Sequence, residues 1–316
     1  MGASRPGRER LGRAATAAGL IIVSALAALA AEKPSPSAPP APIRYSAGRE
    51  IARLVNAAIT ESSGLAASRI REGVFWTHND ARNKPELFAF NLKGEDLGTF
   101  AVEGATAVDW EDLASFSVGK KHFLLIADVG DNYLRRKSYK LYFVEEPALP
   151  GKPSGPARLP VAIRVDFTYE DGPHNCEAAA VDPVRKEVLL VSKTTEKICK
   201  AYVLPLPRAG RVKGAVAKAV ATLEIPTTTA MDVPPDGLRA VVLTYGDARE
   251  YTRTADEDWA AAFGRAPRTL SMPARAQGES ICYGADGRTL YLTSEKLPTP
   301  LLEVAPLPEE SPARGP

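Results

Sequence analysis

Short apolar runs bounded by turn residues recur along this chain: ValPheTrpThr at 74–77, PheLeuLeuIleAla at 123–127, ValLeuLeuValSer at 188–192, AlaValValLeuThr at 240–244 and LeuTyrLeuThr at 290–293. Runs this short and this rich in β-branched and aromatic residues predict strands buried on both faces rather than helices. Each follows a second repeated pattern, opening at Glu61, Glu111, Glu177, Thr229 and Glu279, with starts 50, 66, 52 and 50 residues apart. AspPro at 182–183 and AspGly at 236–237 and 286–287 fall between first and second strands, where a hairpin turn belongs. Third strands are expected at 86–90, 140–144, 201–205, 249–253 and 301–305, and fourth strands at 96–102, 162–169, 219–225 and 268–272.

A period near 50 with several short strands per unit predicts an all-β chain, a β-propeller. Five blades are expected, or six if the long second unit, with its proline-rich loop at 147–156, hides a degenerate blade. The fifth unit lacks a fourth strand, and the alternating segment 49–56 would supply it, closing the ring between the two ends of the chain. Residues 256–263 predict one helical turn inside the fourth unit.

The chain has 316 residues, 45% of them hydrophobic, and a formal net charge of +2. That balance argues against a nucleic-acid partner. Arginines at 5, 8, 10 and 13 precede an alanine-rich apolar stretch that ends in small residues, so 1–31 is expected to be a secretory signal peptide. An uncleaved membrane anchor is the competing reading. The Pro/Ala-rich segment 32–42 is expected to be an extended linker, 43–307 the propeller domain and 308–316 a disordered tail. The expected protein is a monomer in the periplasm or outside the cell. In such a compartment Cys176 and Cys199 could pair, leaving Cys282 a buried thiol; three unpaired cysteines are the alternative.

Opening strands of a propeller line its channel and begin at one mouth, where the second strands end. Glu61, Glu111, Glu177 and Glu279 are therefore expected to converge there with Asp80 and Asp128. Oxygen-rich and lacking a histidine and cysteine set, these six residues would suit calcium better than zinc. Residues 128–132, AspValGlyAspAsn, could be a small calcium-binding turn or merely a polar one. Thr229 departs from the acidic pattern, and Asp232 should point elsewhere. Arg82, Arg135, Arg136, Lys193 and Lys296 share the mouth; Arg82, Arg135, Lys193 and Lys296 would bind an anionic ligand or else neutralise the acids. His78 and His174 are candidate general bases, and His122 is expected to be structural. The chain has no nucleophile elbow, phosphate loop or HExxH helix.

The segments GluSerSerGlyLeuAlaAlaSer, TrpThrHisAsnAsp, ThrAlaValAspTrpGluAspLeuAla, AspValGlyAspAsn and AspGlyProHisAsnCysGluAlaAla resemble a group of exported bacterial propellers of uncertain activity. That group looks related to secreted lactonase-like and phytase-like propellers, and the resemblance implies calcium at an acidic channel mouth. Three functions follow as expectations. The first is a non-catalytic exported propeller that binds a cation or a small anionic or carbohydrate ligand. The second is a calcium-dependent hydrolase of a phosphoester or lactone, and the third is a protein-interaction scaffold.

Overall fold

The computed structural model describes residues 38–80, 83–149, 151 and 155–308. The expected signal peptide (1–31), the first part of the linker and nearly all of the tail lie outside the described residues. Ile43, where the domain was expected to start, is already buried.

The chain is all-β and propeller-like. Among the described residues it forms four-stranded antiparallel meanders and one short helix, α1 (Trp259–Phe263). The first meander is β2 (Ser62–Ala67), β3 (Val74–Asn79), β4 (Glu86–Asn91) and β5 (Asp96–Glu103). The second is β6 (Trp110–Val118), β7 (Lys121–Asp128), β8 (Tyr139–Glu145) and β9 (Ala157–Tyr169). The third is β10 (Cys176–Asp182), β11 (Glu187–Ser192), β12 (Cys199–Pro205) and β13 (Gly210–Leu223). The fourth is β14 (Thr228–Asp232), β15 (Arg239–Thr244), β16 (Asp247–Thr252) and β17 (Arg268–Ser271). In the last, β18 (Ser280–Tyr283), β19 (Leu290–Thr293) and β20 (Pro300–Val304) are completed by β1 (Arg49–Arg53), which pairs antiparallel with β20.

Alternation of side chains across each pleated sheet gives every meander two apolar faces, and each face packs on a neighbour. Trp76, Leu87 and Phe100 of the first meander meet Trp110, Ile126 and Tyr142 of the second. Leu65 and Phe75 of the first also pack with Cys282 and Leu301 of the last. Removing a side chain such as Trp76 or Leu87 from water contributes about 1.5–3 kcal/mol. Helix α1 is capped by Asp258, whose carboxylate accepts from Ala261 N, and it buries Trp259 and Phe263 against β13 and β16.

Two features differ from expectation. Strands β9 and β13 start earlier than their apolar halves indicated. Their exposed leading halves add parallel pairings, β9 with β5 and β13 with β9, that tie the outer edges of neighbouring meanders together. The cysteines are all free and buried. Cys176 and Cys199 do sit at one end of their sheet, but β11 runs between their strands, about 9.5 Å of sheet width. Their side chains also enter different cores, that shared with the second meander and that shared with the fourth. The described end of the linker, 38–42, has no regular secondary structure and is mostly exposed, and it touches the domain where Arg239 donates to the Ala41 carbonyl at 3.2 Å.

Candidate functional site

Backbone hydrogen bonds fix how the meanders correspond at the mouth. The residue leaving each second strand donates to one lying before the first: Asp80 N to Glu61 O (3.0 Å), Val129 N to Asp109 O (3.1 Å), Lys193 N to Asn175 O (2.9 Å) and Glu295 N to Gln277 O (3.0 Å). Glu61 is thus the counterpart of Asp109, and Ser63, not Glu61, is the counterpart of Glu111, Glu177, Thr229 and Glu279. This corrects the sequence alignment of the first unit by two residues. In the first four meanders that position falls where the pairing register shifts, a bulge that turns its side chain out of the ladder toward the mouth. The two non-acidic members bond across to the next meander instead: Ser63 Oγ donates to Glu111 O at 3.0 Å and Thr229 Oγ1 to Gly278 O at 2.9 Å.

The acids form two groups sharing one member. Carboxylate oxygens of Asp80, Asp109 and Glu111 lie within 4.8 Å of one another, as do those of Asp80, Glu279 and Glu295. Glu111, Glu279 and Glu295 are buried. Gly130 seals one side: a Cβ there would collide with the carboxylates of Glu111 and Asp109, so only glycine lets the backbone pass this close. Glu177 is buried nearby and takes a short ion pair from Lys193 and a 3.2 Å hydrogen bond from Asn175 Nδ2. Lys193 also donates to Tyr245 OH at 2.8 Å, and that hydroxyl donates to Glu279 Oε1 at 2.9 Å. Gln277 Nε2 bridges Glu279 Oε1, at 3.0 Å, and Glu295. Glu61 is exposed beside the group, accepting from Asn83 Nδ2 at 2.9 Å.

Crowding and burial change the charge state. Burial pushes the Glu111 carboxyl well up, reinforced by Glu177, Asp80 and Asp109. Burial, then the hydrogen bond and charge of Glu279, raise Glu295 to about 9. Burial also works against ionising Glu279, but hydrogen bonds from Glu295 and Gln277 and the Lys193 charge outweigh it and hold its carboxyl down. The proton of this pair therefore resides on Glu295. Glu177 is raised to about 7 by burial, with Lys193 opposing. An ensemble of oxygens that retains protons at neutral pH is one in which burial and crowded like charges disfavour full ionisation.

Other expected site residues lie elsewhere. Asp128 is fully buried, pairs with Arg136 Nη1 at 2.8 Å and accepts from Asp109 N, so it is not part of either carboxylate group. The 128–132 segment is a self-satisfied polar turn: the Asp131 carboxylate accepts from Arg135 N, Arg136 N and Tyr139 OH. Arg135 stacks over exposed Tyr133, and Lys296 is exposed; Arg82 lies outside the described residues. His78 cannot serve as a base at the mouth. Strand alternation turns it inward, where it is sealed, edge-on to Trp110 at 5.5 Å, with burial lowering its pKa to about 4. His174 is held at the rim by Asp171, at 2.9 Å, and packs against Tyr169 and Tyr202. His122 accepts or donates to Ser117 Oγ at 2.8 Å, a hairpin contact.

Sequence reasoning did not single out Asp109 or Asp112, and it placed 294–296, the residues that follow the fifth second strand, at the mouth without assigning Glu295 to the metal set. Asp109 is detectable as the residue two before a bulge acid, and Glu295 as the one leaving the fifth second strand. Asp112 follows Glu111 directly and lies beneath the mouth, fully buried. Its Oδ2 accepts from Ala179 N (2.8 Å) and Met231 N (2.9 Å) and its Oδ1 from Leu113 N (2.9 Å), tying together the first strands of three meanders. Asp232 makes a similar bond to Tyr283 N at 2.8 Å, away from the mouth as expected.

The fold and this acidic end define the molecule as an all-β, propeller-like protein. No family model matches the chain, and no curated protein matches it. Among solved structures, a chain in the "Crystal Structure of Mitotic Checkpoint Complex" is similar at 11% identity and a TM-score of 0.38, over 78% of this chain and 62% of that one.

Proposed function

We propose that this protein is an exported, five-bladed, ring-closed propeller that binds a divalent cation, with calcium the best fit, at its acidic mouth. It acts there as a binding protein rather than a catalyst. Five blades are favoured over six because the second unit's long connection carries no strand among its described residues. The observation that carries the cation is the pair of carboxylate groups that share Asp80, one with Asp109 and Glu111 and the other with Glu279 and Glu295. All the donors are hard oxygens, the class that calcium takes in sets of six to eight, with carbonyls and water completing the shell. The binding reading is preferred over hydrolysis because His78 is sealed from the mouth and His174 is engaged with Asp171. An anionic or carbohydrate ligand would then complete the cation's open positions.

The test is thermal unfolding in calcium against excess chelator. A ligand that binds only the folded state adds RT ln(1 + [L]/Kd), about 2.7 kcal/mol at a hundred times Kd. A rise of several degrees that disappears in Glu111→Gln supports the reading. No shift at millimolar calcium would reject it and turn the search toward protein partners on the same face.

A further inference from the structure

The far end of the interface between the second and third meanders is open, and its chemistry is the reverse of the mouth. Phe116 and Phe123 are direct cross-strand partners on β6 and β7, stacked at 5.6 Å. Phe143 meets Phe116 edge-on at 6.0 Å, and Ile163 is its partner across β8 and β9. These four side chains form a stepped apolar patch on one face of the second sheet, because the partner of Phe123 on β8 is Glu145 and that of Phe143 on β7 is Leu125; Leu206 of the third meander packs against the same core. The patch continues the buried core between the two sheets, but Phe123, Ile163 and Leu206 are only partly covered. Beyond them lies a cavity of about 620 Å³ between the sheets. Val118 and Val184, on the hairpins beside it, are 51% and 58% exposed.

Every charged residue lining this cavity is a cation: Lys121, Lys186 and Arg208. Lys121 is paired with Glu145, outside the cavity, whereas Lys186 and Arg208 have no ion pair among the described residues. A cleft of that volume, with aromatic and aliphatic side chains on its walls and polar groups at its edge, fits a small amphipathic ligand, and its cations favour an anionic head.

We propose that this cleft binds a free long-chain aliphatic carboxylate, with the chain laid along the phenylalanine patch and the carboxylate held by Lys186 and Arg208. This site is separate from the acidic mouth and stands without the cation reading.

The experiment is calorimetric titration of the whole folded domain with dodecanoate below its micellar concentration, in chelator, beside dodecyltrimethylammonium, which has the same chain and the opposite head. Saturable one-to-one binding of dodecanoate, with the ammonium compound at least tenfold weaker, is the expected result. Lys186→Glu with Arg208→Glu should weaken dodecanoate tenfold or more and narrow or reverse the preference, while the unfolding midpoint stays put because both side chains are exposed. Leu206→Trp, which fills the cleft and leaves the charges, should weaken both ligands. The proposal is overturned by absence of saturable binding, by equal affinity for the two heads, by unchanged affinity in these variants, or by binding to anionic vesicles without binding to monomeric dodecanoate.

Discussion

At the scale of single residues, the mouth's protonation makes a prediction with a definite sign. Glu177 and Glu295 have pKa values raised to about 7 and about 9, against an ordinary glutamate value of 4.5. At these two groups the folded chain holds more protons than the unfolded one above that ordinary value, so their contribution to stability falls as pH climbs, while His78, lowered from 6.5 to about 4, acts in the opposite sense below about pH 6.5. In chelator the unfolding midpoint should therefore decline from about pH 6.5, above which His78 is neutral in both states, through pH 9. Glu295→Gln, which carries a neutral amide where the wild type carries a proton, should flatten the alkaline part of the decline. Calcium should flatten it too, by supplying the positive charge that the proton supplies. A midpoint that rises over this interval would contradict the arrangement. Gly130→Ala probes the same place sterically: its Cβ must displace Glu111 and Asp109. A loss of about 1–3 kcal/mol in denaturant titration is expected, together with loss of any calcium response.

At the scale of elements, the contrast between two aspartates around α1 separates exposed from buried electrostatics. Asp258 caps the exposed helix start, and Asp258→Ala should cost about 1 kcal/mol. Asp182 is fully buried, accepts from Trp259 Nε1 at 2.9 Å and pairs with the equally buried Arg253 at 3.0 Å, joining the third meander to the fourth. Asp182→Ala strands a buried guanidinium, and about 3–5 kcal/mol should be lost by the same measurement. These elements also show what the sequence could reveal. Runs such as Val188–Ser192 announce strands because burial on both faces demands unbroken apolar side chains. The leading halves of β9 and β13 were invisible because their outward positions alternate with solvent and carry arginine, lysine and proline. The two-residue misalignment at Glu61 arose because an acid occurs both at the bulge and two residues before it, in Glu111 and Asp109, and only the hydrogen-bond ladder tells the positions apart. Cys176 and Cys199 misled because a shared sheet end says nothing about which face each side chain enters.

For the molecule as a whole, the proximity of Glu111, Glu177 and Glu279, whose charges act on one another in that order, follows the equivalence of their positions in successive meanders. The removal of Asp128 was not legible in the sequence, because it depends on Arg136 folding back eight residues later. The proposed ring closure rests on one pairing, β1 with β20, which joins residues 254 apart in sequence at Arg49 and Glu303. Without β1 the edge of β20 would offer unpaired backbone groups to other chains. These two residues face each other across the strands at the surface and form a 3.1 Å ion pair, so their replacement by cysteines disturbs no core. In an Arg49→Cys, Glu303→Cys variant, oxidation should form the bond without denaturant, because the strands already hold the two positions opposite each other. Constraining so long a loop should raise stability by about 2–4 kcal/mol relative to the reduced protein. Mass spectrometry of the bridged peptide and the paired unfolding midpoints read both results. If the thiols stay free under mild oxidant while the protein remains folded, β1 is not seated on β20, and the ring must be closed by another strand or left open.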